Sequence, residues 1–134
     1  LEESVAKPDY GTIVSVTKSN TRGKHVDYVV TPTTSAKEKA AIGVYSNHYE
    51  NTPGGDLDGM HSVFSLGDGH ILVCKEGGNI EIGDYICSSS TAGIGMKQDD
   101  DLLHNYTVAK ATESVSWKSN SKSPKLISCT YHCG

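Results

Sequence analysis

Short runs in which apolar and polar residues alternate cover most of the chain, and clusters of Gly, Asn, Asp and Pro separate them. Alternation with a period of two predicts strands that bury one face. The predicted strands are residues 10–17, 25–31, 40–49, 61–66, 70–74, 80–88, 106–111, 113–117 and 126–132. Turn residues predict connections at 20–23, 50–59, 67–69, 77–79 and 91–95, and a polar loop at 119–124.

About nine short strands separated by frequent turns favour an all-β fold, either a sandwich or a distorted barrel of antiparallel strands. We expect one such domain over residues 10–134, preceded by a flexible, polar N-terminal arm over residues 1–9. Segments 33–39 and 99–104 could each form at most one short helical turn. In segment 99–104 the reason is that acidic residues are favourable at a helix N-terminus.

Composition and charge narrow the class of partner. The chain has 134 residues, a net charge of −4 and a single arginine, Arg22, so we expect no nucleic-acid partner. No apolar run approaches the roughly 20 residues of a transmembrane helix, which predicts no membrane span. The chain starts at Leu1 without a signal-like segment, which indicates a processed form or a fragment.

Four cysteines allow two interpretations, disulfides or buried free thiols. Cys74 and Cys87 lie in neighbouring strand-like runs that could face each other, and Cys129 and Cys133 form a C-x3-C pair. The last two lack the two-residue spacing of zinc knuckles, and the six histidines have no paired spacing. We therefore expect no metal and no cofactor.

The sequence gives little evidence for catalytic groups. Ser4 and Lys7 are three residues apart, but their segment is polar and a reactive pair requires rigid geometry. The acidic run 99–101 lacks the alternating oxygen ligands of an EF-hand and is typical of a solvated turn. We expect no catalytic residues and no enzyme activity. Asn105-Tyr106-Thr107 is a sequon that matters only in a secreted eukaryotic context.

Tyrosine dominates the aromatic set, with seven tyrosines against one Phe and one Trp. Tyrosine tolerates half-wet environments, so it suits subunit interfaces and glycan-contacting surfaces. The alternative is that most of these rings simply pack at strand edges. The candidate interface residues are Tyr10, Tyr45, Tyr49, Tyr85 and Tyr106.

Residues 80–115 carry the pattern Gly-Asp-Tyr-Ile-x-Ser-Ser, then Met-Lys-Gln, then Tyr-Thr-Val-Ala-Lys, and Ile42-Gly43-Val44-Tyr45-Ser46 precedes it. This pattern resembles a β module in tail-fibre and neck-appendage proteins of bacteriophages and in fibre-like proteins of large DNA viruses. The match covers roughly residues 40–117. Ala92 stands where that family often has Pro. The self-cleaving C-terminal chaperone of related proteins is not found here, so self-cleavage is not carried over.

The resemblance implies a structural, self-associating module of a virion appendage or another extracellular assembly, present as a trimer or a helical polymer. The arm over residues 1–7 could add a strand to a neighbouring subunit. Two alternatives remain open. One is a subunit of a non-viral extracellular filament or tube. The other is a tip domain that binds a receptor or cell-surface glycan through Tyr49, Asp56 and Asp58.

Overall fold

A computed structural model describes residues 8–48, 61–118 and 123–133 of the chain. This part contains strands and no helix, so the prediction of an all-β fold is confirmed. The strands are β1 (Ile13–Arg22), β2 (His25–Pro32), β3 (Ala41–His48), β4 (His61–Phe64), β5 (Leu66–Val73), β6 (Tyr85–Ser88), β7 (Gly95–Lys97), β8 (Thr107–Ala111) and β9 (Lys125–His132).

The strands form two sheets. The first is antiparallel with the order β2-β1-β3-β4, and the second is a closed barrel with the order β5-β7-β6-β8-β9. Antiparallel pairing of β5 with β9 along their whole length closes the barrel, from Leu66 opposite His132 to Val73 opposite Lys125. One pair departs from the predicted antiparallel pattern, because β5 and β7 run parallel where Val73 lies opposite Gly95.

The main core fills the barrel and extends to the first sheet. Strand β9 shows how the sequence builds it, since Ile127, Cys129 and Tyr131 alternate inward while their neighbours are more exposed. Ile13 of β1 and Val44 of β3, both fully buried, belong to the same cluster. Burial of each aliphatic side chain stabilises the folded state by about 1.5–3 kcal/mol relative to leaving that side chain exposed. The sheet and the barrel therefore share one hydrophobic cluster.

Backbone hydrogen bonds at Gly93 also join the two sheets. The Ile13 N–H donates to the Gly93 carbonyl at 2.8 Å, and the Gly93 N–H donates to the Thr33 carbonyl at 2.9 Å. Gly93 has φ +73°, and a Cβ there would meet the Thr12 methyl at 2.6 Å. Glycine is required at this position both for the backbone angle and for the close approach.

Several predicted boundaries were wrong because tertiary pairing overrides local turn signals. Residues 67–69 were predicted to form a turn, but they lie within β5 because β9 pairs along its full length. The first hairpin turns at Gly23–Lys24, and β1 continues through the predicted turn to Arg22. Strand β7 was not predicted at all, since its three residues carry no periodic signal.

Two predicted strands are shorter than expected. Of residues 80–88 only Tyr85–Ser88 form a strand, and of residues 113–117 only Val115 pairs, in an isolated bridge to Ile80. Segments 33–39 and 99–104 contain turns and bends and no helix. The predicted loop 50–59 and most of the predicted arm 1–9 lie outside the described residues.

Candidate functional site

A loop between β7 and β8 is organised around one buried amide, that of Gln98, which is 2% exposed. Its Nε2 donates to the Leu102 carbonyl at 2.7 Å and to Asp100 Oδ1 at 2.8 Å. Its Oε1 accepts a 2.6 Å hydrogen bond from the Thr107 hydroxyl. That hydroxyl also accepts from the His104 N–H at 2.9 Å. The loop is therefore fixed from inside although most of its residues are exposed.

Titratable side chains gather on the outer side of this loop. Lys37 Nζ lies 2.8 Å from Asp99 Oδ2 and 5.9 Å from the centre of the Tyr106 ring. His104 Nε2 lies 2.9 Å from Asp100 Oδ2, and its ring stacks on Tyr106 with centroids 4.6 Å apart. The hydrogen bond to Asp99 raises the pKa of Lys37, and the hydrogen bond from His104 lowers the pKa of Asp100. These contacts stabilise the charged forms and hold the loop against the 33–40 segment.

Two leucines lie at the tip of the loop. Leu102 is 63% exposed and Leu103 is 62% exposed, directly after the acidic residues Asp99, Asp100 and Asp101. The backbone of Leu102 is held twice, since its carbonyl accepts from Gln98 and its N–H donates to Asp100 Oδ1 at 3.1 Å. The fold thus presents two adjacent apolar side chains to solvent on an ordered, acidic loop.

The β1–β2 hairpin extends from the first sheet. Strand β3 pairs with β1 only at Ile13, Val14 and Ser15, so beyond that point the hairpin has no third strand within the described part of the chain. Residues 17–26 are exposed, and so is Tyr28, at 59%. A two-stranded hairpin with both faces in water is marginally stable. This projecting ribbon is therefore a candidate for contact with another surface.

The two faces of the hairpin differ chemically. Directly opposed residues share a face, so the register places Ser19 and Thr21 beside Tyr28 and Val26 on one uncharged face. The other face carries Lys18 and an ion pair in which Arg22 lies 2.5 Å from Asp27. With Lys24 in the turn, the ribbon over residues 17–29 has three basic residues and one acidic residue, in a chain whose net charge is −4.

An apolar groove lies at the base of this hairpin. It has a volume of about 430 Å³ and is lined by Tyr28, Ala41, Ile42, Ser65 and Cys133. The lining comes from β2, β3, the β4–β5 junction and the residue that follows β9. The groove therefore exists only where the sheet and the closed barrel meet.

The disulfide interpretation is not supported, because all four cysteines are buried free thiols. Cys74 and Cys87 pack in a small cluster with Ile94 and Met96, while Cys129 and Cys133 belong to the main core. Burial raises the pKa of Cys87 to about 11 and that of Cys129 to about 12. These thiols therefore behave as small apolar core residues.

The candidate interface tyrosines occupy different environments. Tyr10 is 40% exposed and bonds His70 Nδ1 at 3.0 Å, whereas Tyr45 is only 1% exposed and packs with Val14 and Val30 in a core cluster. Tyr85 and Tyr106 are half-buried, each with a lysine amino group over its ring. Tyr49 lies outside the described residues. The exposed tyrosine of the groove, Tyr28, was not among the candidates.

The remaining predictions concern the sequon, metal binding and a membrane span. Asn105 is exposed, while the sequon's Thr107 is 3% exposed and bonded to Gln98. Among the described residues, no three His, Cys, Asp or Glu side chains are grouped so that they could hold a metal ion. No helix in this part of the chain has the length and hydropathy to cross a bilayer.

Sequence reasoning missed Gln98, the two leucines and the groove. The acidic run was expected to be a solvated turn or a short helical turn, and residues 99–102 form bends in a surface loop. The signal beside it was the string Asp-Asp-Asp-Leu-Leu, which places apolar residues in a polar loop. Nothing local marks Gln98 as buried, since a lone glutamine is ordinarily a surface residue.

No family model, curated protein or solved structure matches this chain. The resemblance to phage appendage modules therefore rests on the sequence pattern of residues 42–46 and 80–115.

Proposed function

We propose that this chain is a structural β module that assembles by self-association, as a trimer or a helical polymer, in a virion appendage or a similar extracellular structure. The observation that carries this proposal is the β1–β2 hairpin, whose distal half has exposed faces and exposed Val26 and Tyr28 side chains. A projecting ribbon of this kind gains stability when a second surface covers it.

Two further points support the proposal. The resemblance of residues 80–115 is to modules that occur in fibres and appendages. The titratable groups of the 98–107 loop are also engaged with one another, in the pairs Lys37–Asp99 and His104–Asp100, so their hydrogen bonds serve to order the loop.

The test is the native mass of the whole chain, measured by light scattering and sedimentation over a wide concentration range, together with electron microscopy. We expect a defined oligomer or a filament whose mass is the same with and without reductant, because the four thiols are free and buried. A monomer at every concentration would refute self-association.

A monomer would instead favour the tip-domain hypothesis, in which the chain binds a receptor or a cell-surface glycan. The residues named for that role, Tyr49, Asp56 and Asp58, lie outside the described residues. A glycan-array screen of the monomer would then be the next measurement.

A further inference from the structure

We propose that copies of this chain join head to tail, with the leucine-tipped acidic loop 99–103 of one copy docked in the groove beside the β1–β2 hairpin of the next. This inference rests on the proposed function, since it assigns the two surfaces through which self-association occurs. Each surface lacks a partner within the described part of its own chain, and the two differ in both shape and charge.

The loop has the properties of an inserting element. Leu102 and Leu103 are each more than 60% exposed, and they are adjacent. The Gln98 amide and the Asp100 carboxylate hold the carbonyl and the N–H of Leu102, and after Leu103 the His104 N–H donates to the Thr107 hydroxyl. Because the loop is already ordered, docking costs little additional conformational entropy.

The groove has the properties of a receiving surface. Four of its five lining residues are Tyr28, Ala41, Ile42 and the buried Cys133, with Ser65 as the fifth, so it suits aliphatic side chains. Tyr28 and Val26 continue the uncharged surface outward along the hairpin. Apolar anchors that fill pockets lined by such residues contribute most of the affinity in protein interfaces.

Charge complementarity favours the acidic loop 99–103 as the segment that occupies the groove. The loop carries three aspartates, and Asp101 has neither of the cationic partners that hold Asp99 and Asp100. The hairpin has a net positive charge from Lys18, Arg22 and Lys24 against Asp27. The hairpin is a single layer of sheet. Charges on its far face are therefore incompletely screened from a loop that docks on the near face, since the Debye length is about 8 Å.

The same charges disfavour the symmetric alternative. Contact between two hairpins would place two positively charged ribbons against each other, and like charges across an interface are unfavourable. A contact between two different surfaces is heterologous, and repetition of it closes a ring or extends a filament. Both outcomes agree with the trimer or helical polymer of the proposed function.

The experiment uses two variants of the whole chain and their mixture. Leu103→Glu disables the loop and leaves the groove intact, whereas Tyr28→Glu disables the groove and leaves the loop intact. Both side chains are largely exposed in the monomer, so the fold should persist, and circular dichroism and thermal unfolding check this. Ile82→Glu is the matched control, because Ile82 is 69% exposed but lies on neither surface.

We expect each variant alone to weaken assembly at least about tenfold, while the control assembles like the wild type. Mixing the two variants in equal amounts should give a 1:1 heterodimer that does not grow further, because one intact loop meets one intact groove. This result identifies a head-to-tail contact between these two surfaces.

Other outcomes overturn the inference, and they separate it from the proposed function. If both variants assemble like the wild type, or if the folded variants fail to pair when mixed, self-association stands but uses other surfaces. If Ile82→Glu disrupts assembly as strongly as the two test variants, the contact is not specific to the loop and groove. If the wild type itself is monomeric throughout, the proposed function fails together with the inference.

Discussion

Replacement of Gln98 by leucine tests whether one buried amide holds the 98–107 loop. The substitution keeps a side chain of similar volume but removes the donor to Leu102 and Asp100 and the acceptor for Thr107. Thr107 is 3% exposed, so the proton that its hydroxyl donated to Gln98 is left inside the protein without an acceptor.

The expected cost follows from these bonds. A net contribution of about 1 kcal/mol for each neutral bond, and somewhat more for the bond to the Asp100 carboxylate, gives about 2–4 kcal/mol in the free energy of unfolding. Water can reach the exposed side of the loop and replaces part of the loss at Asp100. For a chain of this length the change corresponds to a decrease of roughly 8–16 °C in Tm.

Urea denaturation and calorimetry of four proteins measure the effect: wild type, Gln98→Leu, Thr107→Val and the double variant. Since the two side chains share a 2.6 Å bond, the double variant should lose about 1 kcal/mol less than the sum of the single variants. Thr107→Ser retains the hydroxyl and is the control for the shared bond.

A Gln98→Leu protein whose stability is within about 0.5 kcal/mol of the wild type would refute the reasoning. Strict additivity in the double variant would show that the bond between Gln98 and Thr107 contributes nothing of its own.

Three further predictions concern other parts of the molecule. Burial raises the pKa of Glu38, but hydrogen bonds from Ser15, Thr34 and Ser35 outweigh it and lower the pKa below the usual 4.5. The stability this gives is present above pH 4.5 and is lost as the pH falls through the folded pKa. Glu38→Gln should therefore flatten the acid limb of unfolding curves, whereas the exposed control Glu81→Gln should not. The native chain should react with iodoacetamide far more slowly than the urea-unfolded chain, in which all four thiols should react without added reductant. Fast labelling of the native chain would contradict the burial of the cysteines. In Gly69→Ala the added methyl would lie 2.8 Å from the Tyr131 ring, so we expect the free energy of unfolding to fall by about 1–3 kcal/mol. The measurement is thermal unfolding, and an unchanged Tm would show that the ring moves aside at no cost.

The sequence predicts the fold class well because period-two alternation survives in the strands with one buried face. Strand β9 is the clearest case, since Ile127, Cys129 and Tyr131 alternate with more exposed residues and its predicted bounds differ from the observed ones by one residue at the start. The Gly-Asp-Gly segment at 67–69 fails because turn chemistry is local, while its pairing to β9 depends on residues about sixty positions away. Strand β7 fails for a different reason, because its three residues are too few to carry a periodic signal.

The candidate surfaces were less predictable than the fold. That Gln98 is buried and Leu102 and Leu103 are exposed follows from the path of a loop that only the barrel defines. Alternation placed Cys74 and Cys87 in neighbouring runs but does not distinguish a disulfide from two packed thiols, and the structure contains thiols.

Closure of the barrel by β5 and β9 determines when the groove beside the hairpin is complete. The β1–β2 hairpin is local and forms in about 1–10 μs, whereas barrel closure joins residues such as His70 and Tyr131, 61 positions apart, and is slower. Cys133, which follows β9, completes the groove, whereas the hydrogen bonds of Gln98 that fix the leucine-tipped loop are local, to residues 100, 102 and 107. In the proposed assembly, a chain whose barrel is still open would have the hairpin but not the complete groove, so it could not receive the loop of another copy.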